Sequence, residues 1–212
     1  QYAGADIELG RYIAQQLGVE LVISPMSFET VIESVAQGQA DMGISAFAYR
    51  EERAQAALMA GPYGVGDGYQ GALVRKENAQ ELSTIESLNN RKIAVQISSL
   101  QYEYAEKYLT GCEYTLVSSP MDGVMALQNG KVDAMLIASS TGEGYCKNYS
   151  DLQMSDLKFP TDEGNYVIIN KEETELYEAV LEIVLEAESS GKFATWLEEA
   201  AALADSLGVV NE

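Results

Sequence analysis

Apolar and polar positions alternate along this chain with two periods, and the switches between them outline its elements. Leu9, Tyr12, Ile13 and Leu17 follow helical spacing behind Asp6, which predicts a helix capped by Asp6 and stopped by Gly18. Val19–Ser24 is rich in β-branched residues and reads as a strand. Ser27 then opens a helix with Phe28, Val31, Ile32 and Val35 on one face and Gly38 at its end. Met42–Ala46 reads as a buried strand, Arg50–Ala57 as a charged turn or short helix, and the glycine-rich stretch from Gly61 to Gly68 as a loop. Strands are predicted at Tyr69–Arg75, Lys92–Gln96, Tyr114–Val117, Val132–Ile137 and Tyr166–Asn170. Ser83-Thr84-Ile85-Glu86 and Ser98-Ser99-Leu100-Gln101 read as capping boxes. Further helices follow Pro120, lie around Gly142–Asn148, and fill 172–190 and 192–207 on either side of Gly191.

One unit occurs twice. Gln37-Gly38-Gln39-Ala40-Asp41 runs into Met42–Ala46, and Asn129-Gly130-Lys131-Val132-Asp133 runs into Ala134–Ala138. Each copy follows a helix and a Ser-Pro-Met, at Ser24-Pro25-Met26 and at Ser119-Pro120-Met121. Alternating strands and helices predict an α/β fold with mostly parallel sheets, whose ligands sit at the carboxyl ends of strands. The duplication predicts two lobes with a cleft between them. Tyr69–Arg75 and Tyr166–Asn170 flank the second block, and side by side they would form a two-stranded hinge. Lobe 1 is then discontinuous, 1–74 with 168–212, and lobe 2 is 75–167.

Charge and composition narrow the chemistry. A net charge of −20 opposes binding to nucleic acid and to anionic lipid. With no histidine, His-based triads and the commonest zinc ligand are both missing, and neither a metal nor a cofactor is expected. Cys112 and Cys146 fit no metal-ligand spacing; a disulfide and a pair of free thiols both stay open. No apolar run approaches the length of a membrane span, so a soluble chain is expected. It opens Gln1-Tyr2-Ala3 with no basic-then-apolar leader, so any secretory signal is expected to have been removed.

Several segments, in order, resemble the extracytoplasmic solute-binding proteins of ABC transporters, in their polar amino acid group. Gly4-Ala5-Asp6-Ile7-Glu8-Leu9 is similar to that family's Gly-Phe-Asp-x-Asp-Leu, with Ala5 in place of the aromatic. Phe28 through Arg53 aligns without a gap, Pro62-Tyr63 resembles its Ser-x-Pro-Tyr, and Ala94-Val95-Gln96 with Ser98-Ser99 resembles its Val-Gln-x-Gly-Ser-Thr. The family's opening strand and aromatic-bearing loop have no counterpart before Gly4. The resemblance implies a two-lobed periplasmic binding protein type 2 fold that closes about a hinge. It implies a ligand carboxylate gripped by the Arg53 guanidinium and by backbone N–H groups at the helix start near Ser98 and Ser99. Phe28 becomes an aromatic wall, and Ser45 and Ala46 offer contacts, mainly from the main chain. Ala138 stands where the family usually has an Asp for the ligand ammonium; either another acid replaces it, Glu143 or else Asp162 or Glu163, or the ligand lacks a conventional ammonium. Each of these residues also has a plain structural reading as core, cap or surface charge. Tyr63 and Tyr69 are weaker candidates for the entrance, and Arg50 reads as solvated.

The expected function is therefore to bind a small polar solute, with an amino acid as the first expectation, in the interlobe cleft and deliver it to an ABC permease. The protein is read as a non-catalytic monomer outside the cytoplasm, in the periplasm or at the cell surface, with a lipid anchor left open. Two alternatives stand beside it: an enzyme resembling cyclohexadienyl dehydratase, with Glu143 or Glu163 as acid or base, and the sensing domain of a receptor.

Overall fold

The computed structural model describes residues 2–65, 68–159 and 164–209. The chain divides into two compact units, 1–66 with 162–206 and 67–161 with 207–212. It passes between them near 66 and near 161, so the first unit is assembled from two separate stretches.

The first unit holds α1 (Ala5–Leu17), α2 (Phe28–Ala36), β1 (Met42–Phe47), α3 (Glu51–Ala56) and β2 (Ala57–Tyr63). In the second unit come β3 (Gln70–Arg75), β4 (Lys92–Gln96), α4 (Leu100–Tyr108), β5 (Glu113–Val117), α5 (Pro120–Gln128), β6 (Ala134–Ala138), α6 (Ser139–Asn148) and β7 (Leu152–Phe159). The chain then returns to the first unit with β8 (Asn165–Asn170), α7 (Thr174–Ser189) and α8 (Lys192–Leu207).

In the first unit, β8 lies between β1 and β2 and is antiparallel to both. Its alternation sorts the core onto two faces. Val167 and Ile169 pack with Leu9, Ile13, Val180, Val184 and Phe193 under α1 and α7. Ile168 packs on the opposite side with Val35, Phe47 and Met59. Gly43 is required by that second layer: a Cβ there would lie 2.6 Å from Val31 Cγ1 and 2.8 Å from Ile168 Cγ1.

The second unit is a five-stranded sheet in the order β5-β4-β6-β3-β7. Its core joins Leu73, Val124, Leu127, Met135, Ile137, Tyr145 and Leu152.

The α/β architecture with two sheets matches expectation, but the pairing is mixed rather than mostly parallel. Only β5-β4 and β4-β6 are parallel; the other four described pairings are antiparallel. The parallel pairs belong to strand–helix–strand crossovers, whereas β3, β7 and β8 sit where the chain enters, doubles back or returns. For the same reason β3 and β8 do not run side by side: each is an inner strand of its own sheet.

The duplicated unit is visible in three dimensions. Ser27 and Ser119 cap α2 and α5 by accepting the Thr30 and Asp122 N–H groups. Gly38 and Gly130 end those helices with φ of +69° and +68°. The match fails at Val19–Ser24, which forms no strand. Among the described residues no strand pairs with it, and Val19 and Val22 are 59% and 79% exposed. The glycine-rich loop also begins later than expected, because β2 continues through Gly61 and Pro62 to Tyr63. Edge position and a register shift between Ala60 and Tyr63 accommodate a proline in that strand.

Candidate functional site

Arg53 sits in the middle of α3 and is buried, with 7% of its surface exposed. Its Nη1 donates to the Ala48 carbonyl at 2.6 Å. The guanidinium lies 5.6 Å from the centroids of both Phe28 and Phe47, whose rings stack obliquely 4.7 Å apart. The sequence builds this locally: Phe28 is the first residue of α2, Phe47 the last of β1, and α3 follows within four residues. Two electron-rich faces and a carbonyl hold the cation in a fixed orientation. Phe28, Phe47 and Arg53 are thus brought together, with Phe28 packed against the core.

Ser45 and Ala46 are the last residues of β1 before Phe47. Ala46 has φ +48°, a left-handed conformation unusual for a residue with a Cβ, at a register shift in β1. Its N–H donates to Asp6 Oδ2 at 3.1 Å, and Tyr63 donates its hydroxyl to Asp6 Oδ1 at 3.2 Å. Asp6 therefore does not cap α1; the cap position is Gly4, and the Asp6 carboxylate is used across the unit instead. Burial pushes its carboxyl up to about 6, partly offset by the Ala46 and Tyr63 hydrogen bonds. Tyr63 is not at an entrance. It is buried, edge-on to Phe193 at 4.8 Å, and burial together with the Asp6 charge holds its phenol well above the usual range. Arg50 is not fully solvated either: its Nε and Nη2 are shielded from solvent, and Nη1 donates to the Tyr49 carbonyl at 2.5 Å.

In the second unit, α4 starts just beyond the carboxyl end of β4 and α6 directly beyond that of β6, and these strands are parallel neighbours. Two helix N-termini at adjacent strand ends present N–H groups suited to an anion. Ser99, rather than Ser98, is the cap of α4: its Oγ accepts the Tyr102 N–H at 3.2 Å and donates to the Gln96 carbonyl at 2.7 Å. That hydroxyl is committed to the fold. Ser98, at φ +59°, makes the turn into it.

Gln101 does not complete a capping box. Its amide donates to Gln70 Oε1 at 2.5 Å, at the first residue of β3. Gln70 pairs in register with Ala138, and Ser139 exchanges two hydrogen bonds with the neighbouring Tyr69, main chain to main chain at 2.8 Å and Tyr69 N–H to Ser139 Oγ at 3.1 Å. Glu143 lies one turn along α6, exposed, and its charge helps raise the Tyr69 phenol after burial. Lys158 Nζ stands 4.3 Å from the centroid of the Tyr69 ring. Ser98, Ser99, Ala138 and Glu143 thus converge on the start of β3.

The Gln101–Gln70 contact has no signal in the sequence, because glutamine is ordinary at a strand start and in a helix first turn. Asp162 and Glu163 lie outside the described residues. Cys112 and Cys146 are free thiols: Cys112 donates to the Leu88 carbonyl at 3.1 Å, and burial raises the Cys146 thiol. Among the described residues no cluster of His, Cys, Asp and Glu suits a metal, and no helix is long and apolar enough to cross a membrane.

Comparison with known proteins fits these features. A probable histidine-binding protein of Campylobacter jejuni is 28% identical over 149 residues, 70% of this chain and 57% of that protein. The chain thus spans less than two thirds of that relative's length. The L-cystine-binding protein of Escherichia coli K12 is 24% identical across 89% of this chain and 70% of its own. A Streptococcus pneumoniae amino acid ABC transporter substrate-binding protein, bound to L-arginine, superposes with a TM-score of 0.89 at 31% identity, covering 94% of this chain and 84% of that one. The model of the bacterial extracellular solute-binding proteins, family 3, matches residues 1–200. With that match over nearly its whole length, the chain belongs to the family 3 bacterial extracellular solute-binding proteins.

Proposed function

We propose that this protein is an extracytoplasmic receptor that binds a free amino acid and hands it to an ABC transporter permease. The observation that carries this reading is the buried Arg53 guanidinium, oriented by Phe28, Phe47 and the Ala48 carbonyl at the position the family resemblance assigns to the ligand carboxylate. A planar fork of donors matches a carboxylate in two-point geometry. The family resemblance assigns further N–H donors to the helix start near Ser98 and Ser99, which Ser99 caps within the second unit. Glu143 takes the ligand ammonium in place of the carboxylate missing at Ala138, with Tyr69 beside it. Charge-assisted bonds of this type contribute about 1.5–3 kcal/mol each.

The ligands named for the relatives differ (histidine, cystine, arginine), so the class of amino acid is open to all three. We read the chain as a monomeric receptor and not an enzyme, in line with relatives that are named as binding proteins. Isothermal calorimetry against L-arginine, L-histidine, L-cystine and the remaining common amino acids tests the proposal. Saturable binding of at least one supports it, a flat response to all overturns it, and consumption of prephenate on incubation would overturn its non-enzymatic part.

A further inference from the structure

Asp6 is a costly residue in an odd place. It lies in the first turn of α1 yet makes no cap, and its two oxygens instead bind Ala46 of β1 and Tyr63 of β2, the two edge strands of the first sheet. The tether falls on the one residue of β1 with a positive φ. Two residues further on, the Ala48 carbonyl receives Arg53 Nη1. One carboxylate thus fixes the bend from which the candidate arginine is oriented.

We propose that Asp6 is a positioning residue for ligand binding: its ionised carboxylate holds the Ala46 bend in shape, and binding weakens in acid as that hold is released. The proposal rests on the reading of Ser45–Arg53 as a ligand-contact segment. Chemically, a carboxylate accepts both hydrogen bonds, and charge-assisted bonds are about twice as strong as neutral ones. A protonated carboxyl must turn its own hydrogen to an acceptor. The Tyr63 oxygen can take it, the Ala46 N–H cannot, so the bond to Ala46 loses its charge. A left-handed alanine costs roughly 1–2 kcal/mol, so a weaker tether lets the bend relax.

The surroundings give acid a clear target. On α1, Glu8 and Arg11 pair with each other. On β2 the titratable neighbour is Tyr63, whose phenol is held far above this range. On α7, Glu188 accepts the Gly64 and Val65 N–H groups, just past Tyr63. β1 itself carries no titratable side chain, and beyond it lie Arg50 and Arg53. The carboxyl titrates at about 6, so it is ionised at neutral pH and largely protonated a unit below that.

The test uses L-arginine, whose charge is constant over the range, and needs two readouts. Calorimetry from about pH 7.5 to about pH 5 is expected to show affinity falling about five- to tenfold, with Asp6→Asn already weak at neutral pH and flat across the range. In parallel, the Ala46 amide shift in ¹⁵N NMR is expected to titrate with a midpoint near 6 in the unaltered protein and not in Asp6→Asn. An Ala46 amide that does not titrate overturns the tether. A titrating amide with pH-independent affinity overturns its role in binding. If L-arginine does not bind at any pH, the amide titration still decides the tether, and the fault lies with the ligand assignment. Because the unaltered protein carries both measurements, the proposal stays falsifiable even where Asp6→Asn fails to fold.

Discussion

Asp6→Asn is expected to stabilise the protein at neutral pH while weakening its binding. The Asp6 carboxyl is raised from 3.8 to about 6, chiefly by burial. One unit corresponds to 1.36 kcal/mol, so the ionised form is disfavoured in the folded state by about 3 kcal/mol, or about 2 once partial exposure is allowed for. The sign follows from proton uptake: between about pH 4 and pH 6 the folded state binds more protons than the unfolded one, so this group's contribution to stability is lost as pH rises through that window. Asparagine imitates the protonated acid without the charge. The variant should therefore gain about 2 kcal/mol above about pH 7, roughly 4–8 °C in melting temperature for a domain of this size, and the gain should close towards about pH 4. The single tryptophan, Trp196, lies against Tyr12 and Phe193 in the first unit and reports its unfolding by fluorescence. A variant that is less stable at neutral pH, or a difference that ignores pH, would refute the reasoning.

Arg53→Met should lower amino acid affinity about a hundredfold, the equivalent of one or two charge-assisted bonds, with Arg53→Lys intermediate because it keeps charge but loses the fork. Unchanged calorimetric affinity would remove Arg53 from the site. Gly43→Ala should cost about 1–3 kcal/mol in denaturant unfolding, since its methyl meets Val31 and Ile168 Cγ1 atoms inside 3 Å, close to their backbones. Thiol titration of the denatured, unreduced protein should count two thiols, and none would mean that Cys112 and Cys146 pair.

Most helices were legible because their apolar stripes and caps are local: Ser27, Ser119 and Gly38 occupy the positions their patterns imply. Strand direction was not, since nothing local to β3 or β8 records that each lies between antiparallel partners. Val19–Ser24 has strand composition and no strand, because pairing needs a neighbour and its own residues cannot provide one. β7 was missed although Leu152, Ser155, Leu157 and Phe159 are buried at nearly alternate positions; its polar Ser155 and Asp156 blurred the period. The family motif brings Arg53 and Phe28 forward as candidates, whereas Asp6 reads from the sequence as a cap, a role that fits the same residue at the same place. Its partners Ala46 and Tyr63 are 40 and 57 positions away, beyond any local pattern.

The placement of β8 carries a consequence for how the molecule is made. Both flanking strands of the first sheet, β1 and β2, hydrogen-bond to β8 and not to each other, and β8 emerges only after all of 67–161 has been synthesised. A nascent chain therefore holds β1 and β2 without the strand they share. Translation delivers the lock last: until Asn165–Asn170 arrive, the first sheet has no centre.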